Sequence, residues 1–306
     1  MTVAELDISA MTEQEQIAAI REKLSDKWWR MNNLYMIENE QGKLVRFRLR
    51  PAQELLFRTM WYLNIILKAR QLGFSTAIDI YLLDEALFNK NLKCGIIAQD
   101  LTAAGEIYRT KIEVPFDNLP GWLKAQFKVV TRRGGANGGH ILFRHGSSIQ
   151  VATSFRSGTV QRLHVSEHGK ICAKYPEKAK EVRTGTLQAI HPGAVAFIES
   201  TAEGVGGDFH AMSMKSLELA RASGELSQLD WKFHFFAWWQ DPKYRADVPA
   251  SGVVMSKAQA EYFAAVEKAM SCTISDEQRQ WYVLKEGTQR GEMKQEYPST
   301  PLEAFL

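Results

Sequence analysis

The sequence predicts an α/β fold, a mostly parallel sheet held between helices, followed by a smaller helical part. Three observations predict it. Short branched apolar runs, among them Leu63–Leu67, "CGIIAQD" and "AVAFIEST", alternate with stretches of helical spacing. The distinctive residues fall where these runs end, after Ala69, at Glu167 and at Ser200-Thr201, and ligands bind such sheets at the carboxyl ends of the strands. Beyond Leu229 the texture changes to the aromatic-dense "WKFHFFAWWQDPKY" and then two helical patterns.

Ile17, Ile20 and Leu24 set helical spacing from about Thr12 to Arg30. "LYMIENEQGKLVRFRL" predicts two strands around a Glu40-Gln41-Gly42 turn, with Val45, Phe47 and Leu49 alternating against arginines. Pro51 opens a helix, since proline is tolerated in a first turn. In the core, strand Ile65–Ala69 leads through a loop into the helix "STAIDIYLLDEALFN", and "CGIIAQD" leads into "LTAAGEIYRTKI". "RRGGANGGH" from Arg132 to His140 is the obvious flexible stretch. "HILFRHGSSIQVATS" predicts a hairpin, "RLHVSE" a short strand before a basic helix, and "AVAFIEST" a strand before the loop "AEGVGGD". Ser275 and Gln278 form a capping-box pattern ahead of "SDEQRQWYVLKEG". The expected division is an N-terminal helical and hairpin extension over 1–50, a core over 51–230 and a helical lid and linker over 231–306.

With 306 residues, 45% of them hydrophobic and 24% charged, the composition is that of an ordinary globular chain. No run approaches the ~18 apolar residues of a membrane span, and the polar N-terminus has no secretory pattern. Cys94, Cys172 and Cys272 are too scattered for a metal pair and predict free thiols. The formal charge of +3 does not by itself argue for nucleic acid. Basic clusters occur at Arg46-Arg48-Arg50, at Arg132-Arg133 and from Lys170 to Arg183.

The segment "LKARQLGFSTAID" has the outline of a phosphate-binding loop. In G-x-x-x-x-G-K-[ST], backbone amides cradle phosphates, the lysine neutralises charge and the hydroxyl holds Mg²⁺. Gly73 fits the second glycine and Ser75 the hydroxyl, but Lys68 stands at the first glycine and Phe74 at the lysine. The physical need is a cation near the phosphates, and either Lys68 or Arg70, entering the turn from the strand side, can supply it.

Three further pieces lie in order along the chain. Ser166-Glu167 ends a buried strand where nucleotide hydrolases usually carry Asp-Glu. Glu167 keeps the general base, while Ser166 can only hydrogen-bond a metal-bound water. Ser200 and Thr201 end the next strand beside Glu199, which supplies the missing carboxylate if it points inward. Gln53 carries the amide pattern that reads the N6 and N7 edge of adenine.

Taken together, "RLRPAQ", "KARQLGFST", "LHVSEHGKI" and "IESTAEGVGGDF" resemble the ATPase domain of tailed-phage terminase large subunits. "FFAWWQDPKY" and "QEYPSTPLEAF" resemble the stretches that close that domain. The resemblance runs from about Leu34 to the C-terminus and implies a P-loop NTPase fold of the RecA-like class. It implies phosphate binding at Lys68, Arg70, Gln71, Gly73, Phe74, Ser75 and Thr76. It also implies Mg²⁺ at Ser75, with Ser166 through water and Glu199 as a candidate, a base at Glu167, adenine reading by Gln53 and coupling by Ser200-Thr201. Arg156 matches a family arginine that reaches into the neighbouring subunit's site. The implied activity is ATP hydrolysis driving double-stranded DNA into a prohead in the host cytoplasm. The implied partners are a portal, a small terminase subunit and copies of the chain in a five-membered ring, an excised domain being a candidate monomer. No membrane is implied, and the Arg132–His140 stretch is the candidate DNA contact. The family continues into a nuclease domain where this sequence stops at Leu306, so cleavage is not expected of this chain. Two readings compete: a superfamily-2-type helicase, which needs a second RecA-like lobe, and a nucleotide-gated docking module that hydrolyses weakly.

Overall fold

A computed structural model of the chain describes residues 12–155, 159–190, 192–222 and 224–306. The chain begins with α1 (Glu13–Ser25), α2 (Lys27–Asn33), the strands β1 (Met36–Glu38) and β2 (Leu44–Arg46), and α3 (Pro51–Thr59). Next come β3 (Leu63–Lys68), α4 (Phe74–Phe88), β4 (Lys93–Ile97), α5 (Leu101–Ile107), β5 (Val129–Gly135), β6 (Gly138–Phe143) and β7 (Ser148–Ala152). Then follow β8 (Arg162–Ser166), α6 (His168–Lys174), α7 (Pro176–Glu181), β9 (Val195–Ser200), α8 (Gly207–Arg221), β10 (Trp231–Phe236), α9 (Lys257–Met270), α10 (Asp276–Gln289) and α11 (Met293–Glu296). The chain forms two compact units, Met1–Gln53 with Ser75–His164 and Glu54–Phe74 with Val165–Leu306, a division different from the three segments read from the sequence.

In the first unit, β4 and β7 pair in parallel, and β7, β6 and β5 continue as antiparallel neighbours. Helix α4 is buried nearly all round, from Ala77 to Ala86, so its acidic residues must be paired. Arg30 grips Asp84 with two bonds of 3.0 and 2.7 Å, and Tyr35 donates to the same carboxylate at 2.6 Å. Lys27 at 2.5 Å and Arg162 at 2.7 Å share Glu85, and His164 meets Asp79 at 2.6 Å. These pairs tie α2 and the start of β8 to α4.

Two expectations in this unit are corrected. The run from Thr12 to Arg30 is two helices, because the Asp26 carboxylate caps the second by accepting the amides of Trp28 and Trp29 at 2.8 and 3.2 Å. The glycine-rich stretch expected to be flexible is ordered as β5 and β6. Its glycines admit the Tyr108 ring, whose atoms lie 2.2 Å from a Cβ built on Gly134 and 2.5 Å from one on Gly139. Arg132 is held there by Asp117 at 2.6 Å and Glu113 at 3.0 Å, and Arg133 beside it is exposed.

In the second unit, β10, β3 and β9 run parallel, with the Val165–Ser166 end of β8 next in order. Every residue of β3 is buried, as expected for a strand covered on both faces. Trp231–Phe236, which falls in the segment expected to be helical, is a strand on the β3 edge. Its aromatic run favours a pleated, half-buried surface. The register sets Leu67 opposite Ser200 and Lys68 opposite Phe236, so the carboxyl ends of three strands share one edge.

His234 on β10 is buried against Asn64 Oδ1, at 3.0 Å. That oxygen only accepts, so the imidazole donates from Nε2. Burial, with Lys232 adding to it, pushes the histidine down to about 3. The unfolded chain takes up this proton below pH ~6.5 and the folded chain does not until about pH 3, so stability is full above that window and falls as pH drops through it. Urea midpoints are expected to show this as a loss on the order of 3 kcal/mol between pH 7 and pH 4. The loss is smaller in His234→Gln, and equal losses in both proteins would refute the assignment.

Candidate nucleotide site

The loop from Ala69 to Gly73 leaves β3 in a tight path. Gln71 and Gly73 both take left-handed backbone, with φ of 58° and 73°. Left-handed positions within a turn are a feature of the backbone nests that bind anions. Ser75 and Thr76 lie half-buried in the first turn of α4.

Phe74 explains why no lysine stands at this address. Its side chain is fully buried and meets the Phe236 ring at 4.3 Å between centroids. The position belongs to the core of the unit, where an ammonium has no partner. Phe74→Lys is therefore expected to destabilise the protein by at least ~3 kcal/mol in denaturant titration, without gaining nucleotide affinity.

Lys68 is the cation buried beside the loop. Its Nζ lies 3.2 Å from Glu167 Oε1 and 3.1 Å from Glu199 Oε2. Burial disfavours the charge, but the two carboxylates outweigh burial and hold the ammonium above its ordinary range. Arg70 behaves differently. Its side chain is half-exposed and pairs with Glu296 at 3.2 Å.

Glu199 points inward and is fully buried. Ser166 donates to its Oε1 at 3.0 Å, joining the ends of neighbouring strands. Glu167 sits just past β8 at φ 54°, a left-handed conformation uncommon for a residue with a side chain. Ser200 donates to Glu167 Oε2 at 3.5 Å, and Lys170 approaches the same oxygen at 3.2 Å. Thr201 is buried, and its Oγ1 has no hydrogen-bond partner among the described residues. Gly169 is required by this crowding, since a Cβ there would lie 2.7 Å from Thr201 O and 2.8 Å from Ser200 Oγ.

The fold thus brings together Lys68, Ser166, Glu167, Glu199 and Ser200. Gln53 is buried in the first unit, where its Oε1 accepts the Arg50 amide at 3.0 Å, capping its own helix. Arg156 lies outside the described residues. Sequence reasoning missed Lys170, Glu296, Lys243 and Tyr244. Lys170 stands one helical turn after Glu167 and was within reach of a spacing argument. The others lie in the closing stretches "FFAWWQDPKY" and "QEYPSTPLEAF", where nothing local says that they reach the loop. Among the described residues, no group of three His, Cys, Asp or Glu side chains is arranged to hold a metal. Two carboxylates already sharing one cation at Lys68 do suit a metal that takes one or two carboxylates and completes its shell with phosphate and water.

No family model and no curated protein matches this sequence. Among solved structures, the chain is similar to the large terminase ATPase domain of Thermus phage P74-26, at 16% identity and a TM-score of 0.49, covering 85% of this chain and 95% of that one. It is similar to the large terminase of a thermophilic bacteriophage, at 14% identity and a TM-score of 0.39, covering 69% of this chain and 48% of that one. It is also similar to a DEAD box protein from Methanococcus jannaschii, at 15% identity and a TM-score of 0.39, covering 78% of this chain and 62% of that one.

Proposed function

We propose that the chain is an ATP-hydrolysing motor domain that moves double-stranded DNA, of the kind carried by tailed-phage large terminase subunits. The observation that carries the hydrolytic reading is the buried Lys68 ammonium beside Glu167 at the mouth of a phosphate-type loop. Loop amides and the Ser75 and Thr76 hydroxyls bind the phosphates. The γ-phosphate competes with Glu167 for Lys68 and releases that carboxylate. Glu167 then orients the attacking water and accepts its proton. Ser200 holds Glu167 in place, and Ser200-Thr201 carry the change outward. Gln53 reads adenine once its carboxamide leaves the Arg50 amide. Mg²⁺ belongs with Glu199, Ser166 and Ser75, and when bound it neutralises phosphate charge. Arg156 from a neighbouring copy stabilises charge in the transition state.

The finer proposal is a ring of such chains on a portal, working in the host cytoplasm with a small terminase subunit. DNA is held through its phosphates, with exposed Arg133 as one contact, so binding weakens steeply with salt. The experiment combines chain, prohead, linear duplex and ATP. The expected result is DNA protected from nuclease together with DNA-stimulated phosphate release. Stimulated turnover without protection overturns translocation and keeps the ATPase. A docking module is the second reading, favoured by the grip of Lys68 on both carboxylates, which occupies Glu167 Oε1. Absence of turnover both with and without prohead and DNA selects it.

A further inference from the structure

The outward side of the phosphate loop is held by a segment that the proposed chemistry does not use. A loop that turns its amides toward phosphate turns carbonyls the other way, and those carbonyls need donors. Here the Tyr244 hydroxyl donates to Arg70 O, and the Lys243 ammonium donates to Gln71 O. The Arg70 amide is taken up by Glu296 O at 2.9 Å, so the amides left for a ligand begin at Gln71.

The two donors are presented by a turn written in "QDPKY". Asp241 O accepts the Tyr244 amide at 3.3 Å and Asp241 Oδ1 accepts the Lys243 amide at 3.0 Å, with Pro242 at the position that presets the bend. The Lys243 ammonium also lies 5.0 Å from the centre of the Tyr244 ring. Tyr244 is buried, with Trp281 at 4.7 Å and Tyr297 at 5.7 Å between ring centres. Trp281 in turn stacks on Trp238 at 5.3 Å. A packed aromatic cluster therefore stands behind the hydroxyl that holds the loop.

We propose that Lys243 and Tyr244 are positioning residues of the nucleotide site: they hold the carbonyls of Arg70 and Gln71 outward so that the following amides face the phosphates. The proposal rests on the ATP-site reading above. Neither residue touches the nucleotide. They lower the cost of ordering the loop, so their loss raises KM and leaves kcat nearly unchanged. A shift of the loop on binding passes through the Tyr244 hydroxyl to the ring packed on Trp281, which makes Trp281 emission a report of occupancy.

The test compares the intact chain with Tyr244→Phe, Lys243→Met and Lys243→Arg, by titration with ATPγS and by steady-state turnover. Removing one anchoring hydrogen bond is expected to weaken binding about tenfold in Tyr244→Phe and in Lys243→Met. The effect falls on KM, with kcat within about threefold, and Lys243→Arg restores affinity. Nucleotide-dependent emission, identified as that part of the signal lost in Trp281→Phe, disappears in Tyr244→Phe while the melting temperature holds. Affinities within twofold of the parent in both Tyr244→Phe and Lys243→Met overturn the positioning role and leave the ATP reading intact. Failure of the parent chain itself to bind ATPγS overturns both.

Discussion

Glu167→Gln is expected to lower ATP turnover by about 10³-fold while nucleotide binding persists. Glutamine keeps the size of the side chain but can neither accept the proton of the attacking water nor attract it by charge. The fold tolerates the change. Glu167 is only partly buried, and Lys68 retains the fully buried Glu199 as its partner at 3.1 Å. Affinity for ATP is expected to hold or to increase, because one negative charge beside the phosphates is gone. Phosphate release measured alongside ATPγS binding separates the two effects. Turnover near that of the parent would show that another group activates the water, and the proposed mechanism would fall with it.

Removing the Lys68 charge is expected to have the next largest effect, and Arg70→Ala a small one. Lys68→Met strips the fully buried Glu199 of its ammonium partner, which costs ~3 kcal/mol of stability. It also removes the charge-assisted contact to phosphate, weakening ATP binding by up to about 100-fold. The double variant Lys68→Met/Glu199→Gln separates these effects, since stability returns and ATP affinity does not. Arg70 is half-exposed and held by Glu296, so Arg70→Ala should change stability by less than ~1 kcal/mol and leave turnover largely intact. Full activity in both single variants would refute a relocated phosphate cation.

The pattern of strand and helix was legible in the sequence because apolar runs and helical spacing are local signals. Leu63–Lys68, Lys93–Ile97, Arg162–Ser166 and Val195–Ser200 are strands, each near where its run placed it. Less local features were not legible. The Thr12–Arg30 helix breaks at Asp26 because a carboxylate there competes as a cap. The Arg132–His140 glycines signal flexibility until Tyr108 supplies the ring they accommodate. Trp231–Phe236 becomes a strand because β3 offers it an edge.

The sequence by itself determined the chemical inventory: a glycine-bearing loop without its lysine, a glutamate after a buried strand, and paired hydroxyls after the next. Spacing along the chain carries that information, since each piece lies where a strand meets its loop. Only the tertiary structure decided which cation is buried between two carboxylates. Lys68 and Arg70 are two residues apart and equal in formal charge, and no local rule separates them. Parallel pairing of β3 with β9 and the order of β8 beside them place Glu167 and Glu199 around Lys68 and bury all three groups to different depths. Arg70 turns outward to Glu296, contributed by a segment far along the chain. Charge pairing under burial depends on partners that meet only when the strands are laid side by side.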